Sequence, residues 1–132
     1  MMNTAKNNKI LIVDDDKINL LMLIDVLKQD YNLCLAKDGE EAIKNAEKHL
    51  PDLILLDIIL PDIDGYEVLA KLHEKDETKG IPVILLTGLM EKASEEKGIK
   101  LGAVDFVTKP FNPSVLKEKV IRQIKIINDK RG

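Results

Sequence analysis

Three stretches of the chain are apolar without interruption, and each ends in a polar residue. Residues 10–13 (Ile-Leu-Ile-Val) run into Asp14, residues 53–56 (Leu-Ile-Leu-Leu) into Asp57, and residues 83–86 (Val-Ile-Leu-Leu) into Thr87. Short apolar runs bounded by turn residues read as strands buried on both faces. Two further stretches, 31–36 and 103–108, mix apolar and polar positions and read as edge strands. Between the strands lie helical patterns over 18–28, 40–50, 65–74 and 91–101, and a last one covers 113–128. The first is apolar nearly all round, so some of its residues face outward. The second has Ala42, Ile43 and Ala46 as its inner stripe, the third Val68, Leu69 and Leu72, and the fifth Leu116, Val120, Ile124 and Ile127. The fourth is the softest, with only Ala93, Ile99 and Leu101 as apolar anchors and Gly98 inside it. Asp15 or Asp16 caps the first helix, Pro51 ends the second, Gly102 caps the fourth, and Pro113 suits the first turn of the fifth.

The order βαβαβαβαβα predicts an α/β fold, a doubly wound five-stranded parallel sheet with helices on both faces. The wholly apolar strands belong at the centre and the mixed ones at the edges. That selects the strand order 2-1-3-4-5, the flavodoxin-like arrangement.

Composition narrows the function. At 132 residues one domain is expected, over 9–128, with residues 1–8 a disordered N-terminal segment and 129–132 a C-terminal tail. A net charge of -3 argues against direct nucleic-acid binding. No apolar run approaches the ~18 residues of a membrane span, so no membrane insertion and a cytoplasmic location are expected. The single Cys34 cannot form an intramolecular disulfide and reads as a buried, inert thiol.

In a parallel sheet every strand ends on the same edge. The residues just past the strands are Asp14 and Asp15, Asp57, Thr87 and Lys109. Ligands bind such sheets at the switch point between the first and third strands, which the three acids flank. Three carboxylates and one ammonium leave a formal sum of -2, which one Mg²⁺ would cancel, and hard carboxylate oxygens suit that ion. Asp57 is then placed to attack a phosphoryl group as a carboxylate nucleophile, with Thr87 and Lys109 holding phosphoryl oxygens.

These residues and their spacing resemble the receiver domains of two-component response regulators. The resemblance rests on Ile10 to Asp16, on Asp52 to Asp57 with Leu60-Pro61-Asp62-Ile63-Asp64-Gly65, on Val83 to Gly88, and on Gly102-Ala103 through Phe106 to Lys109-Pro110-Phe111. It implies Asp57 as phosphoacceptor. Asp15 and Asp57 would be direct Mg²⁺ ligands, Asp14 a ligand through water, and the Ile59 backbone carbonyl the last protein ligand. Thr87 and Lys109 would be the phosphoryl-sensing pair, and Lys109-Pro110 a cis peptide. It implies a phosphohistidine donor on a histidine kinase or histidine phosphotransfer protein, docking beside the first helix at Ile18, Leu21 and Met22. The switch would pair Thr87 with Phe106, remodelling the face made by the fourth helix, fifth strand and fifth helix, with a phosphorylation-dependent dimer through that face. Ile59 cannot orient an attacking water, so slow self-dephosphorylation is expected. His49 and His73 are expected to be exposed helix residues with no role. The chemistry expected is self-phosphorylation and self-dephosphorylation, without a substrate turned over as by an enzyme. An aspartyl-phosphate phosphatase of the haloacid dehalogenase type would want an Asp at position 59. A flavodoxin-like FMN protein would want a Gly/Ser/Thr phosphate loop after the first strand. An inert receiver-like docking module would not need the full set of acids, hydroxyl and ammonium.

Overall fold

The computed structural model describes residues 7–88 and 92–131. Strands and helices alternate as β1 (Lys9–Val13), α1 (Lys17–Leu27), β2 (Asn32–Ala36), α2 (Gly39–His49), β3 (Leu53–Asp57), α3 (Gly65–Glu74), β4 (Val83–Thr87), α4 (Lys92–Lys100), β5 (Asp105–Thr108) and α5 (Pro113–Arg131). The five strands pair in parallel in the order β2-β1-β3-β4-β5, as the hydrophobicity of the strands predicts.

Successive strand residues point to opposite faces of the sheet, and both faces are covered. Ile10, Ile12, Leu53, Leu55, Ile84 and Leu86 join Leu20, Leu23 and Leu27 of α1 and Leu116, Val120, Ile124 and Ile127 of α5. Leu11, Val13, Ile54, Leu56, Val83 and Leu85 meet Ala42 and Ala46 of α2 and Val68, Leu69 and Leu72 of α3. With apolar partners on both sides, the central strands carry no polar residue until they leave the core. That is why their acids and hydroxyl collect at one rim.

Side chains fix the helix starts. Asp16 caps α1, Asp38 caps α2 and Asp64 caps α3, each carboxylate accepting from backbone N–H groups of the first turn. Each cap contributes about 1 kcal/mol. At the C-terminus of α2, Leu50 takes a left-handed backbone (φ 45) ahead of Pro51, so the helix stops one residue earlier than the proline alone predicts.

Several expectations change. Helix α5 continues to Arg131, so 129–131 are helical rather than a tail. Asn8 is buried, not part of a loose segment: its carboxamide donates to Asn128 Oδ1 at 3.0 Å, and the adjoining Lys9 N–H donates to Asp52 Oδ2 at 2.8 Å. Arg131 pairs with the same Asp52, closing a clasp between the start of the sheet and the end of α5. Cys34 lies on the edge strand and is only half-buried. His73 is half-buried beneath Gly102, where a Cβ would come within 2.4 Å of the imidazole, and His49 is likewise half-buried. Ile99 of α4 and Leu101 just past its end are exposed rather than anchoring. The helix approaches β4 through Gly98, where a Cβ would lie 2.1 Å from Leu85 Cδ1. Residues 1–6 of the expected N-terminal segment, Glu91 at the expected start of the fourth helix, the Ala93 side chain and Gly132 lie outside the described residues.

Candidate functional site

Asp14 leaves β1 with its side chain fully buried. Its N–H donates to the Ala36 carbonyl at 3.1 Å, and its Oδ1 accepts from the Asp16 N–H at 2.9 Å. The backbone turn that lets Asp16 cap α1 therefore also orients Asp14. Asp15 between them is exposed. Asp57, only 3% exposed, ends β3; its Oδ1 accepts from the Ile59 N–H at 3.1 Å and its Oδ2 from Lys109 Nζ at 2.7 Å. Lys109 Nζ also stands 3.5 Å from Asp14 Oδ2.

The Asp14, Asp15 and Asp57 carboxylates each bring one oxygen within 4.8 Å of the others. Asp14 Oδ2 is buried and accepts no hydrogen bond, with the Lys109 ammonium as its nearest compensation. Leaving a buried carboxylate oxygen unsatisfied is costly, and a hard divalent cation among the three acids relieves that cost. The donor set, oxygen only and net negative, fits Mg²⁺.

Burial pushes the Asp57 pKa up. The Lys109 hydrogen bond pulls it down and the Asp14 charge adds to the rise, leaving it at about 6. Burial pushes the Lys109 ammonium down, but the hydrogen bond it donates to Asp57 and the charges of Asp57 and Asp14 outweigh it and hold the pKa above the ordinary lysine value. Lysine stays charged, and Asp57 is ionised at neutral pH.

The next crossover seals the nucleophile's back. Gly65 N–H donates to the Ile58 carbonyl at 2.7 Å, and a Cβ at Gly65 would lie 2.5 Å from the Asp57 carbonyl oxygen. Only glycine lets α3 begin so close to β3. Asp62 ties the intervening loop to the start of α2, accepting from the Gly39 and Glu40 N–H groups at 2.7 and 2.9 Å. Ile59, in the same loop, is 65% exposed.

Thr87 ends β4 and is 1% exposed. Its hydroxyl donates to Glu95 Oε2 of α4 at 3.3 Å, and the Thr108 hydroxyl donates to the same oxygen at 3.4 Å. Phe106 is half-buried against the α2–α3 side of the core, with Lys119 Nζ 4.7 Å over its ring and 2.6 Å from its carbonyl oxygen. Lys109-Pro110 is cis. On α1, Ile18 and Leu21 are 77% and 57% exposed, whereas Met22 packs against the core.

Thus Asp14, Asp15, Asp57 and Lys109 meet at one point, Thr87 ends the adjoining strand β4, and Phe106 lies one strand further out, on β5, in register with Leu85. Sequence reasoning passed over Glu95 and Lys119, and gave Asp62 no role beyond its place in the motif at 60–65. Glu95 and Lys119 act from helices whose polar faces read as solvated, so no local pattern marks them. Gly65, standing directly after a capping Asp, was the one legible signal. A cleft of about 820 Å³ lies at the opposite edge of the sheet beside Pro51, His73, Gly102 and Arg131, away from the acids.

Residues 10–121 match the response regulator receiver domain family. The chain belongs to that family. Among curated relatives, the alkaline phosphatase synthesis transcriptional regulatory protein PhoP of Bacillus subtilis is 41% identical over 115 residues, covering 86% of this chain and 47% of PhoP. The chain thus spans about half the length of that relative. A solved response regulator from Chloroflexus aurantiacus superposes with a TM-score of 0.85 at 35% identity, covering 89% of this chain and 98% of that one. The receiver domain of a sensor histidine kinase from Pseudomonas aeruginosa, described with magnesium coordinated in its active-site cleft, superposes at 0.82 with 29% identity over 89% of this chain and 98% of that one. A receiver domain, rather than a flavodoxin-like cofactor carrier, is therefore what the strand-end acids serve. Among the described residues no helix is long and apolar enough to cross a membrane.

Proposed function

We propose that this receiver domain takes a phosphoryl group from a phosphohistidine onto Asp57 and signals by it. The observation that carries the reading is the joint placement of a buried carboxylate, two further acids and a lysine ammonium around one point. Asp15 and Asp57 would hold Mg²⁺ directly, Asp14 through water, and the Ile59 carbonyl would complete the protein ligands. When bound, the ion neutralises charge that develops on the phosphoryl oxygens. The Asp57 carboxylate attacks phosphorus, and the bond from phosphorus to the donor's imidazole nitrogen breaks with its electron pair leaving on nitrogen. Lys109, already on Asp57 Oδ2, turns to a phosphoryl oxygen as the carboxylate charge is consumed. The Thr87 hydroxyl supplies a second donor. Its movement vacates space for Phe106, which carries no hydroxyl and responds by packing alone. The α4–β5–α5 face changes with it and offers a phosphorylation-dependent dimer surface.

The donor is a histidine kinase or histidine phosphotransfer protein in the cytoplasm. The exposed Ile18 and Leu21 beside the acids suit its docking, and Met22 contributes less because it is spent on the core. The direct test is incubation with acetyl phosphate and Mg²⁺, read by intact mass. One added phosphoryl group is expected, absent with EDTA and absent in Asp57→Asn. Undiminished labelling of Asp57→Asn would overturn the assignment.

A further inference from the structure

A hydroxyl has one hydrogen to donate. In this structure the buried Thr87 hydroxyl gives its hydrogen to Glu95 Oε2, so it cannot at the same time serve an oxygen at Asp57. The same carboxylate oxygen receives Thr108, the register partner of Thr87 on the neighbouring strand. Glu95 therefore spans the tips of β4 and β5 from α4. Among the described residues, the other ties of this helix include Gly98 against Leu85 and Lys97 Nζ 4.5 Å over the Tyr66 ring. Its Ile99 and, just past its end, Leu101 are exposed.

We propose that Glu95 is a latch, a positioning residue that holds the Thr87 hydroxyl away from the acid cluster and α4 against the strand tips. The inference rests on the phosphoacceptor reading and adds a restraint to it. A phosphoryl group on Asp57 recruits Thr87 only by breaking the Thr87–Glu95 bond, and breaking it removes half of what fastens Glu95 to the sheet. Linkage makes the effect reciprocal: whatever weakens the latch strengthens phosphoryl binding, and whatever pins α4 weakens it.

The test uses Mg²⁺ with beryllofluoride as a stand-in for the phosphoryl group, its affinity measured by calorimetry. Glu95→Ala is expected to bind about fivefold more tightly than wild type, the equivalent of one hydrogen bond. Glu95→Gln keeps an acceptor oxygen without the charge and is expected to fall between. In a Thr87→Ala background the gain from Glu95→Ala should vanish, because the latch has lost what it holds. Amide exchange at residues 97–101 should quicken in ligand-free Glu95→Ala. Equal affinities for Glu95→Ala and wild type, or a gain that survives in Thr87→Ala, would overturn the latch. Should Glu95→Ala fail to fold, Glu95→Gln carries the same cycle. A wild-type protein that does not bind beryllofluoride at all would instead overturn the phosphoacceptor reading.

Discussion

Replacing Asp57 by Asn should stabilise the metal-free protein while abolishing its chemistry. The ionised carboxylate is held in the fold at a cost: burial and the Asp14 charge outweigh the Lys109 bond and lift its pKa from 3.8 to about 6. That rise corresponds to roughly 3 kcal/mol favouring the protonated over the ionised carboxyl in the folded state. Asn removes the charge but leaves Lys109 with a weaker, neutral acceptor, so a net gain of about 1–2 kcal/mol is expected. For a domain of this size that is a rise in Tm of about 4–8 °C. The pH dependence has a definite sign. Below about pH 4 the carboxyl is protonated in both folded and unfolded states, and the variant has little advantage. As pH rises to about 6 the unfolded chain ionises first, wild type loses stability, and the gap opens; above about pH 7 it is constant. Thermal unfolding by circular dichroism in EDTA across this range measures the gap. Mg²⁺ should then close it, because an ion at about 100-fold its Kd adds about 2.7 kcal/mol to wild type and less to a variant lacking one ligand. An Asp57→Asn protein no more stable than wild type in EDTA at about pH 7.5 would refute the reasoning.

Three other outcomes follow from the same geometry. Ile59 is exposed beside the acids and cannot orient a water, so the phosphorylated protein should persist well beyond seconds, and Ile59→Asn should shorten its lifetime; decay of the intact-mass signal measures both. Gly65→Ala places a Cβ against the Asp57 carbonyl and Ile58 Cα, backbone atoms that cannot turn aside. It should cost about 2–3 kcal/mol by urea unfolding and weaken Mg²⁺ binding, well beyond what a glycine-to-alanine change in an open helix does. Finally, Ile18→Ser with Leu21→Ser should slow phosphotransfer from a histidine donor at least about tenfold, yet leave labelling by acetyl phosphate and the unfolding midpoint nearly unchanged, since neither side chain is in the core.

The sheet was legible because burial on both faces forces long apolar runs, and the runs end where the core ends. Asp14, Asp57 and Thr87 were found by that rule, and Lys109 by its place just past the mixed fifth strand on the same edge of the sheet. Amphipathic stripes placed the buried faces of α2, α3 and α5. On α1 nearly every position is apolar, so periodicity could not say that Ile18 and Leu21 face out while Leu20 and Leu23 face in; packing decides that. On α4 the rule misled. Ile99 and Leu101 suggested an apolar contact, but the close approach is made by a residue with no side chain, Gly98. Helix length was underread at α5 because its last turn is polar, yet that turn is held by Asn128 meeting Asn8 and Arg131 meeting Asp52, groups distant in the sequence. Asn8 was misplaced for the same reason.

The two crossovers beside Asp57 are built differently. From β3 into α3 the join is backbone on backbone, with Gly65 against the Asp57 carbonyl and no space for a methyl group. From the strand tips into α4 the described contacts include a carboxylate between two hydroxyls, side chains that can change partner, besides Gly98 against Leu85. The first kind of join has one arrangement, and the second can have two. On the switching function proposed above, the α2–α3 half of the molecule would be the fixed frame and the α4 side the part that moves against it. A partner that senses the mark needs to touch both, because a displacement carries meaning only relative to something that has stayed where it was.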